Sequence, residues 1–436
     1  MQPTSVLDRA TAAAERGVTR VLRGRTDPDA AWTTIRLLVV WLLTRLVVVI
    51  VVPLAPFVVN DVNYFATVIT GQAEPGFPGT LREYPVPALW VLQIPAILSG
   101  NEITAYGWWF VFLMLVVDGL FLFALHRLGR SPRAVTAWLV AGVAIGPMLV
   151  LRFDLITGAA VAVALLVAVP RPRLAGALMV LATGIKLWPG VLVGLVGAAT
   201  RRRAAYVVAA ATTSVVLILA AGLTAGWDRL LTPLSYQTNR GLQVESLAAF
   251  PSMVLWALHV DGFAVDYPAS LAFEITGPGV AVAGAVSTLA SAVALAWTLW
   301  TTAMLWRRTP SPDVVVAAAW ALLSCVSLLV LSNKVFSPQY MVWLLPLVVV
   351  VLAVTRDQAA RTCTYLILAA AVAAQALYPW LYTSVTEHQP GVGNIVAVAL
   401  VGVRLALVCA VAWIATRRTW QLVRADAPAA EPAPAA

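Results

Sequence analysis

About ten stretches of this chain run for ~20 residues with almost nothing but apolar side chains, the length an α-helix needs to cross a bilayer. One of them, TTIRLLVVWLLTRLVVVIVVPLAPFVV, is followed at once by the polar and aromatic N-D-V-N-Y-F of Asn60–Phe65. Such repetition leaves few folds open. Only helices and closed barrels satisfy their own backbone hydrogen bonds in lipid, and the period-two alternation of barrel strands is absent here. Charged residues make up 11% of the chain, against about 25% in soluble domains. The expectation is an all-α polytopic membrane protein with about ten full spans.

The arginines set the expected topology. All but two of the 29 lysine and arginine residues are arginine, and most sit in short clusters between apolar runs. These are Arg127/Arg130/Arg133, Arg171/Arg173, Arg201–Arg203, Arg307/Arg308, Arg356/Arg361 and Arg417/Arg418. The net charge of +9 therefore reads as a positive-inside orientation signal and not as a nucleic-acid surface. Placing every cluster in the cytoplasm threads spans at 33–57, 105–125, 134–151, 154–170 and 204–225, then 278–306, 314–331, 340–355, 362–383 and 394–416. Both termini then lie in the cytoplasm of a protein of the plasma membrane. Residues 1–32 read as a basic cytoplasmic lead-in, 33–416 as the transmembrane domain, and 417–436, ending in ADAPAAEPAPAA, as a disordered cytoplasmic tail.

Some apolar segments resist a plain crossing. Pro87–Gly100 is too short and carries Pro95, so it is expected to lie in the outer leaflet. The run 174–199 is flanked by PRPR and RRR, both of which belong in the cytoplasm. It is expected to be a helical hairpin broken at Lys186–Pro189, since proline cannot continue a helix and broken helices are tolerated at membrane depth where they line a cavity. Ser246–His259 is expected to form a similar short outer dip.

Chemistry is then sought on the outer face. The three cysteines lie in apolar runs and the three histidines are far apart, so neither a disulfide framework nor a metal site is indicated, and no cofactor or divalent metal is expected. The outer loops are acidic, with carboxylates at Asp61, Glu83 and Glu245 accompanied by Tyr64, Tyr84 and Gln243, groups suited to sugar hydroxyls and ring faces. Lys186, at the hairpin break, and Lys334, in S-N-K-V-F-S-P-Q-Y, serve no orientation role. Intramembrane cations point to function, and an ammonium is a common phosphate ligand. Lys186 and Lys334, with Arg152 in L-R-F-D, are the candidate phosphate holders. Asp61, at the first outward exit, is the candidate general base that takes a proton from an acceptor hydroxyl. Glu83 is expected to orient it, bind acceptor or cap the next helix. In the apolar core Asp118 needs a cation, either Arg45 or Arg404.

These residues carry a resemblance. Asp61 with Tyr64, the E-Y-P of Glu83–Pro85, the R-F-D of Arg152–Asp154 and the K-L-W-P of Lys186–Pro189 come in that order. R-G-L-Q-V-E-S at Arg240–Ser246 and S-P-Q-Y at Ser337–Tyr340 follow. Over residues 33–416 the chain resembles the GT-C superfamily of polytopic glycosyltransferases, and within it the mannosyltransferase-like proteins of glycosyltransferase family 87. The resemblance implies a GT-C-type fold, a polyprenyl-phosphate sugar donor with mannose favoured, a lipid-linked or glycan acceptor, and inversion at the anomeric carbon. It also implies that Asp61 carries the catalytic acid of the first outer loop. The sequence holds no P-loop and no G-x-G-x-x-G leading a helix, which agrees with a lipid-borne rather than a nucleotide donor. The other class considered is a transporter or flippase for a polyprenyl-linked sugar. Transporters commonly carry paired repeats, and no second copy of the I-K-L-W-P hairpin is found.

Overall fold

The computed structural model describes residues 32–72, 81–238, 240–268, 271–355 and 357–425. Nearly all of the basic lead-in, Glu74, and the last eleven residues of the tail fall outside them. The chain is a helical bundle. Thr33 caps the first helix, α1 (Thr34–Val51), its Oγ1 accepting from the Arg36 N–H at 3.3 Å. Pro53 then ends the run and α2 (Pro56–Ile69) restarts it, because proline removes a helical hydrogen bond but suits a helix start. Asp61 is thereby lifted out of a loop and onto a helix of its own.

Next come α3 (Val86–Ser99), α4 (Ile103–Ala124), α5 (Pro132–Ile145) and α6 (Asp154–Val167). α7 (Pro172–Ile185) and α8 (Arg203–Ala225) follow. After α9 (Phe250–Ala257), the strands β1 (Ala264–Asp266) and β2 (Glu274–Thr276) pair antiparallel. The chain ends in α10 (Val280–Trp306), α11 (Pro312–Ser332), α12 (Met341–Val354), α13 (Gln358–Gln375) and α14 (Gly393–Arg424).

Among the described residues, eight helical runs are long and apolar enough to cross a membrane. Two of the ten expected spans fall short. α6 and α12 hold 14 residues each, about 21 Å at 1.5 Å per residue. Every residue of α12 from Met341 to Leu352 is buried, and α5, α6, α11 and α13 surround it. A helix apolar on all sides belongs in such a core, and hydropathy cannot tell that from a lipid-facing span. α6 packs against it closely: a Cβ on Gly158 would lie 2.8 Å from the Val342 carbonyl. Pro87–Gly100 corresponds to the 14-residue α3, closed by Gly100 in the left-handed region (φ 61°), where glycine is free of the Cβ penalty.

The expected break at Lys186–Pro189 is present. α7 stops at Ile185, Lys186 is extended, and a 3₁₀ turn over Trp188–Leu192 leads into the short helix Val193–Ala198. At the other end of the chain, α14 continues to Arg424, so the first residues of the expected disordered tail are helical. The β-hairpin escaped the sequence reading, since three-residue strands are too short to show a period.

Deep in the bundle Asp118 pairs with Arg45, through Nε–Oδ2 at 2.8 Å and Nη2–Oδ1 at 2.9 Å. The indole N–H groups of Trp41 and Trp138 donate to the same carboxylate at 2.5 and 2.9 Å, and Arg45 also donates to the Leu139 carbonyl at 2.9 Å. Only glycine fits at 142, where a Cβ would collide with the Arg45 guanidinium. Arg404, the other candidate partner, is bonded to Glu245 instead.

Candidate functional site

Asp61 faces Arg152, its Oδ2 lying 3.1 Å from Nη1. Arg152 is itself held from several sides: it donates to the carbonyls of Val58 (2.9 Å) and Leu151 (3.1 Å) and to the Tyr378 hydroxyl (3.2 Å). Tyr378 closes the loop by donating to the Phe57 carbonyl at 2.7 Å. It reaches that point because the helix after α13 breaks there, with Tyr378 at φ −119°, ψ 97° and Pro379 next. The Arg152 side chain is 4% exposed, its Nη1 and Nη2 bonded to these partners, whereas the Asp61 side chain is 39% open. Arg152, expected as a phosphate holder, is placed as the counter-ion of Asp61. Burial in the surrounding protein raises the Asp61 pKa above the ordinary carboxylate value, and the Arg152 guanidinium opposes the rise. A carboxylate shifted upward is better matched to accepting a proton near neutral pH.

Lys186 has a different environment. Its Nζ sits 2.5 Å from Asp154 Oδ1, which also accepts from the Trp343 indole N–H at 2.6 Å. The rings of Tyr84, Phe153 and Trp343 surround the ammonium at 5.8, 5.2 and 5.4 Å, close enough for cation–π attraction. The sequence gives Lys186 no partner; the bundle pairs it with Asp154. Asp61, Arg152, Asp154 and Lys186 lie near enough for Asp61 to feel all three charges.

A cavity of about 690 Å³ opens beside this group. Glu83, Tyr84, Lys186, Arg240, Lys334 and Tyr340 supply its polar wall; Trp188 and Trp343, stacked at 5.1 Å between ring centres, also line it. α10 and α11 add Ser287, Thr288, Ser291, Leu329 and Val330 to its lining. Glu83 is fixed by the Tyr64 hydroxyl, which donates to its Oε1 at 2.9 Å. Burial raises the Glu83 pKa, opposed by its own backbone N–H, by that Tyr64 hydrogen bond and by the charges of Arg240 and Arg229. Arg229, unnoticed in the sequence, staples the Glu83 segment by donating to the carbonyls of Leu81 (2.6 Å) and Tyr84 (3.1 Å). Nothing local marks it, because its partners lie some 150 residues away along the chain.

Lys334 is half-buried on the cavity wall, and among the described residues its ammonium has no carboxylate partner. Two expected acceptor ligands are elsewhere. Glu245 is fully buried against Arg404 (2.9 Å), and Gln243 is buried beside it, donating to Glu245 Oε2 at 3.0 Å. Neither lines the cavity. The sequence showed only that they fall between apolar runs, not that Arg404 would reach them from inside a span. Among the described residues no three His, Cys, Asp or Glu side chains gather as a metal site requires.

The arrangement thus sets a fixed carboxylate, cations, aromatic faces and apolar side chains around one cavity, with the part-open Asp61 carboxylate outside its lining but within electrostatic reach of Lys186. No curated protein and no solved structure matches the chain. The family model of glycosyltransferase family 87 matches residues 83–332, from Glu83 to the end of α11, so Asp61 and Tyr64 precede the match and Lys334 follows it. That match covers more than half of the chain, and the protein belongs to glycosyltransferase family 87.

Proposed function

We propose that this glycosyltransferase moves a sugar, mannose being favoured, from a polyprenyl-phosphate donor to a lipid or glycan acceptor at the outer face of the plasma membrane, with inversion. The observation that carries the reading is the part-open Asp61 carboxylate, set on Arg152 beside a cavity that joins cations to an apolar wall. Leu187, Val191, Leu329, Val330 and Val335 supply the apolar lining of that cavity, which suits an isoprenoid tail, while Lys334 and Arg240 suit the phosphate. In the step proposed, Asp61 takes the proton of an acceptor hydroxyl as its oxygen bonds to the anomeric carbon. The bond from that carbon to the phosphate oxygen breaks, and the polyprenyl phosphate departs with the electron pair. Cations fixed around the leaving group stabilise the charge it gains. Glu83, Tyr64 and Tyr84 orient the sugar or the acceptor.

The test uses the full chain in liposomes with labelled polyprenyl-phosphate mannose and a membrane acceptor fraction. A new glycosidic bond, formed from the lipid donor and not from nucleotide sugars, is the expected result. Movement of the labelled lipid between leaflets without a new bond overturns the reading in favour of a flippase.

Lys334→Met should raise the donor KM about tenfold, the worth of a charged hydrogen bond, with a smaller change in the acceptor KM; equal losses for both would remove Lys334 from the phosphate site. Arg152→Met should move the acid limb of the pH–rate profile upward by about 1–3 units. A base works ionised, so activity falls as pH drops through its pKa. Asp61 already titrates above the usual range, and losing the cation that opposes that rise lifts it further. An unmoved limb with retained activity would mean that the ionisation seen is not that of Asp61.

A further inference from the structure

Lys334 belongs to a short irregular stretch between α11 and the turn at Pro338–Tyr340. Its backbone is tied down from beneath. The Gln243 N–H donates to the Lys334 carbonyl at 3.0 Å, and the Phe336 N–H donates to Gln243 Oε1 at 2.9 Å. The other end of the Gln243 amide donates to Glu245 Oε2 at 3.0 Å. Arg404, from the middle of α14, completes the set. Its Nη1 donates to Glu245 Oε1 at 2.9 Å, and its Nη2 to the carbonyls of Phe336 (3.1 Å) and Glu245 (3.3 Å). Its guanidinium also lies 4.6 Å from the centre of the Phe336 ring.

The far edge of the same strut is anchored as well. Val244 N–H donates to the Phe273 carbonyl at 3.1 Å and Ile275 N–H to that of Leu242 at 3.0 Å, so residues 242–244 run along β2. Gln243, Glu245, Phe336 and Arg404 are all buried, and none of them lines the cavity. Lys334 does. A buried ion pair is often no more stabilising than apolar residues of the same volume, so stability by itself does not account for this one. Its bonds, direct or through Gln243, lead to the Lys334 carbonyl and to the Phe336 backbone, just after the Lys334 side chain.

We infer that Gln243, Glu245 and Arg404 are positioning residues that clamp the Lys334 stretch and hold its ammonium toward the donor phosphate. The inference rests on the phosphate-binding reading of Lys334. A cation fixed before the reaction stabilises the leaving phosphate without the reorganisation that a mobile side chain would require.

The experiment is a double-mutant cycle on the full reconstituted chain, with polyprenyl-phosphate mannose as the varied donor. Gln243→Met keeps the length of the side chain and removes its hydrogen bonds. It should raise the donor KM about tenfold and change the acceptor KM far less. In a Lys334→Met background the same substitution should add almost nothing, because residues acting through one group are not additive. If Gln243→Met leaves donor KM unchanged, or its effect multiplies that of Lys334→Met, the clamp is overturned while the role of Lys334 stands. If Lys334→Met itself has no effect on donor KM, the phosphate reading falls and the clamp with it. Should Gln243→Met not fold, Glu245→Gln, which sets an amide against the Gln243 amide, carries the same cycle. Amide exchange supplies a second readout: it should quicken over residues 334–336 and stay unchanged around Arg45 and Asp118. Loosening of both regions alike would mark a merely structural role.

Discussion

Replacing Asp61 with Asn should lower sugar transfer by about 10²–10⁴-fold, the range that a positioned general base contributes. The substitution keeps the shape of the side chain and an oxygen that can still accept from Arg152, so folding should survive. What disappears is the ability to carry away the acceptor proton. Donor affinity should change little, because Asp61 is not on the cavity wall that holds Lys334 and Arg240. The measurement is single-turnover transfer from labelled donor, with a thermal melt of the detergent-solubilised variant as the control for folding. Transfer at the wild-type rate would sink the assignment of Asp61 as base and return the proton to another group, with Glu83 the first to test.

The second large effect concerns stability. Asp118→Leu strands the Arg45 guanidinium, which is buried with its carboxylate partner and has Trp41 and Trp138 donating to the same carboxylate. Breaking one side of a buried ion pair costs about 3–5 kcal/mol, because the remaining charge stays desolvated. Asp118→Leu should therefore unfold at much lower denaturant or temperature, while Arg45→Met with Asp118→Leu should recover most of the loss. Gly142, which leaves the guanidinium its space, then faces a smaller Met. A double variant as unstable as the single one would show that the pair contributes more than mutual neutralisation.

Several parts of this protein were readable along the chain because their physics is local. Apolar runs of bilayer length can only be helices, and eight of them are. Pro189 and Lys186 announced a broken helix, since proline cannot be carried through one, and α7 stops at Ile185. Asp61 stands just after the first span in the sequence, and in the fold it is a part-open carboxylate paired with Arg152.

Pairing was not readable. Lys186 and Lys334 look equivalent in sequence, both lysines in an arginine-rich chain, yet Asp154 neutralises one and leaves the other on the cavity wall. Nothing in the sequence pairs Arg152 with Asp61, and it is fixed there by a tyrosine more than two hundred residues later. Asp118, on α4, had two arginines to choose from; Arg45, on α1, bonds to it, while Arg404 bonds to Glu245. Length misled as well, since the apolar runs behind α6 and α12 were taken for spans and their helices are short and buried.

The sequence by itself determined the solvent of this protein, the helical class and the places where helices must break. Hydropathy, proline chemistry and backbone hydrogen bonding act over a few residues, so they are written in order along the chain. Only the tertiary structure decided which charge meets which, because an ion pair depends on distances of a few ångströms between groups tens or hundreds of residues apart. That decision left the Asp61 carboxylate part-open and the Lys334 ammonium without a carboxylate partner among the described residues, and these are the two groups on which the proposed transfer depends.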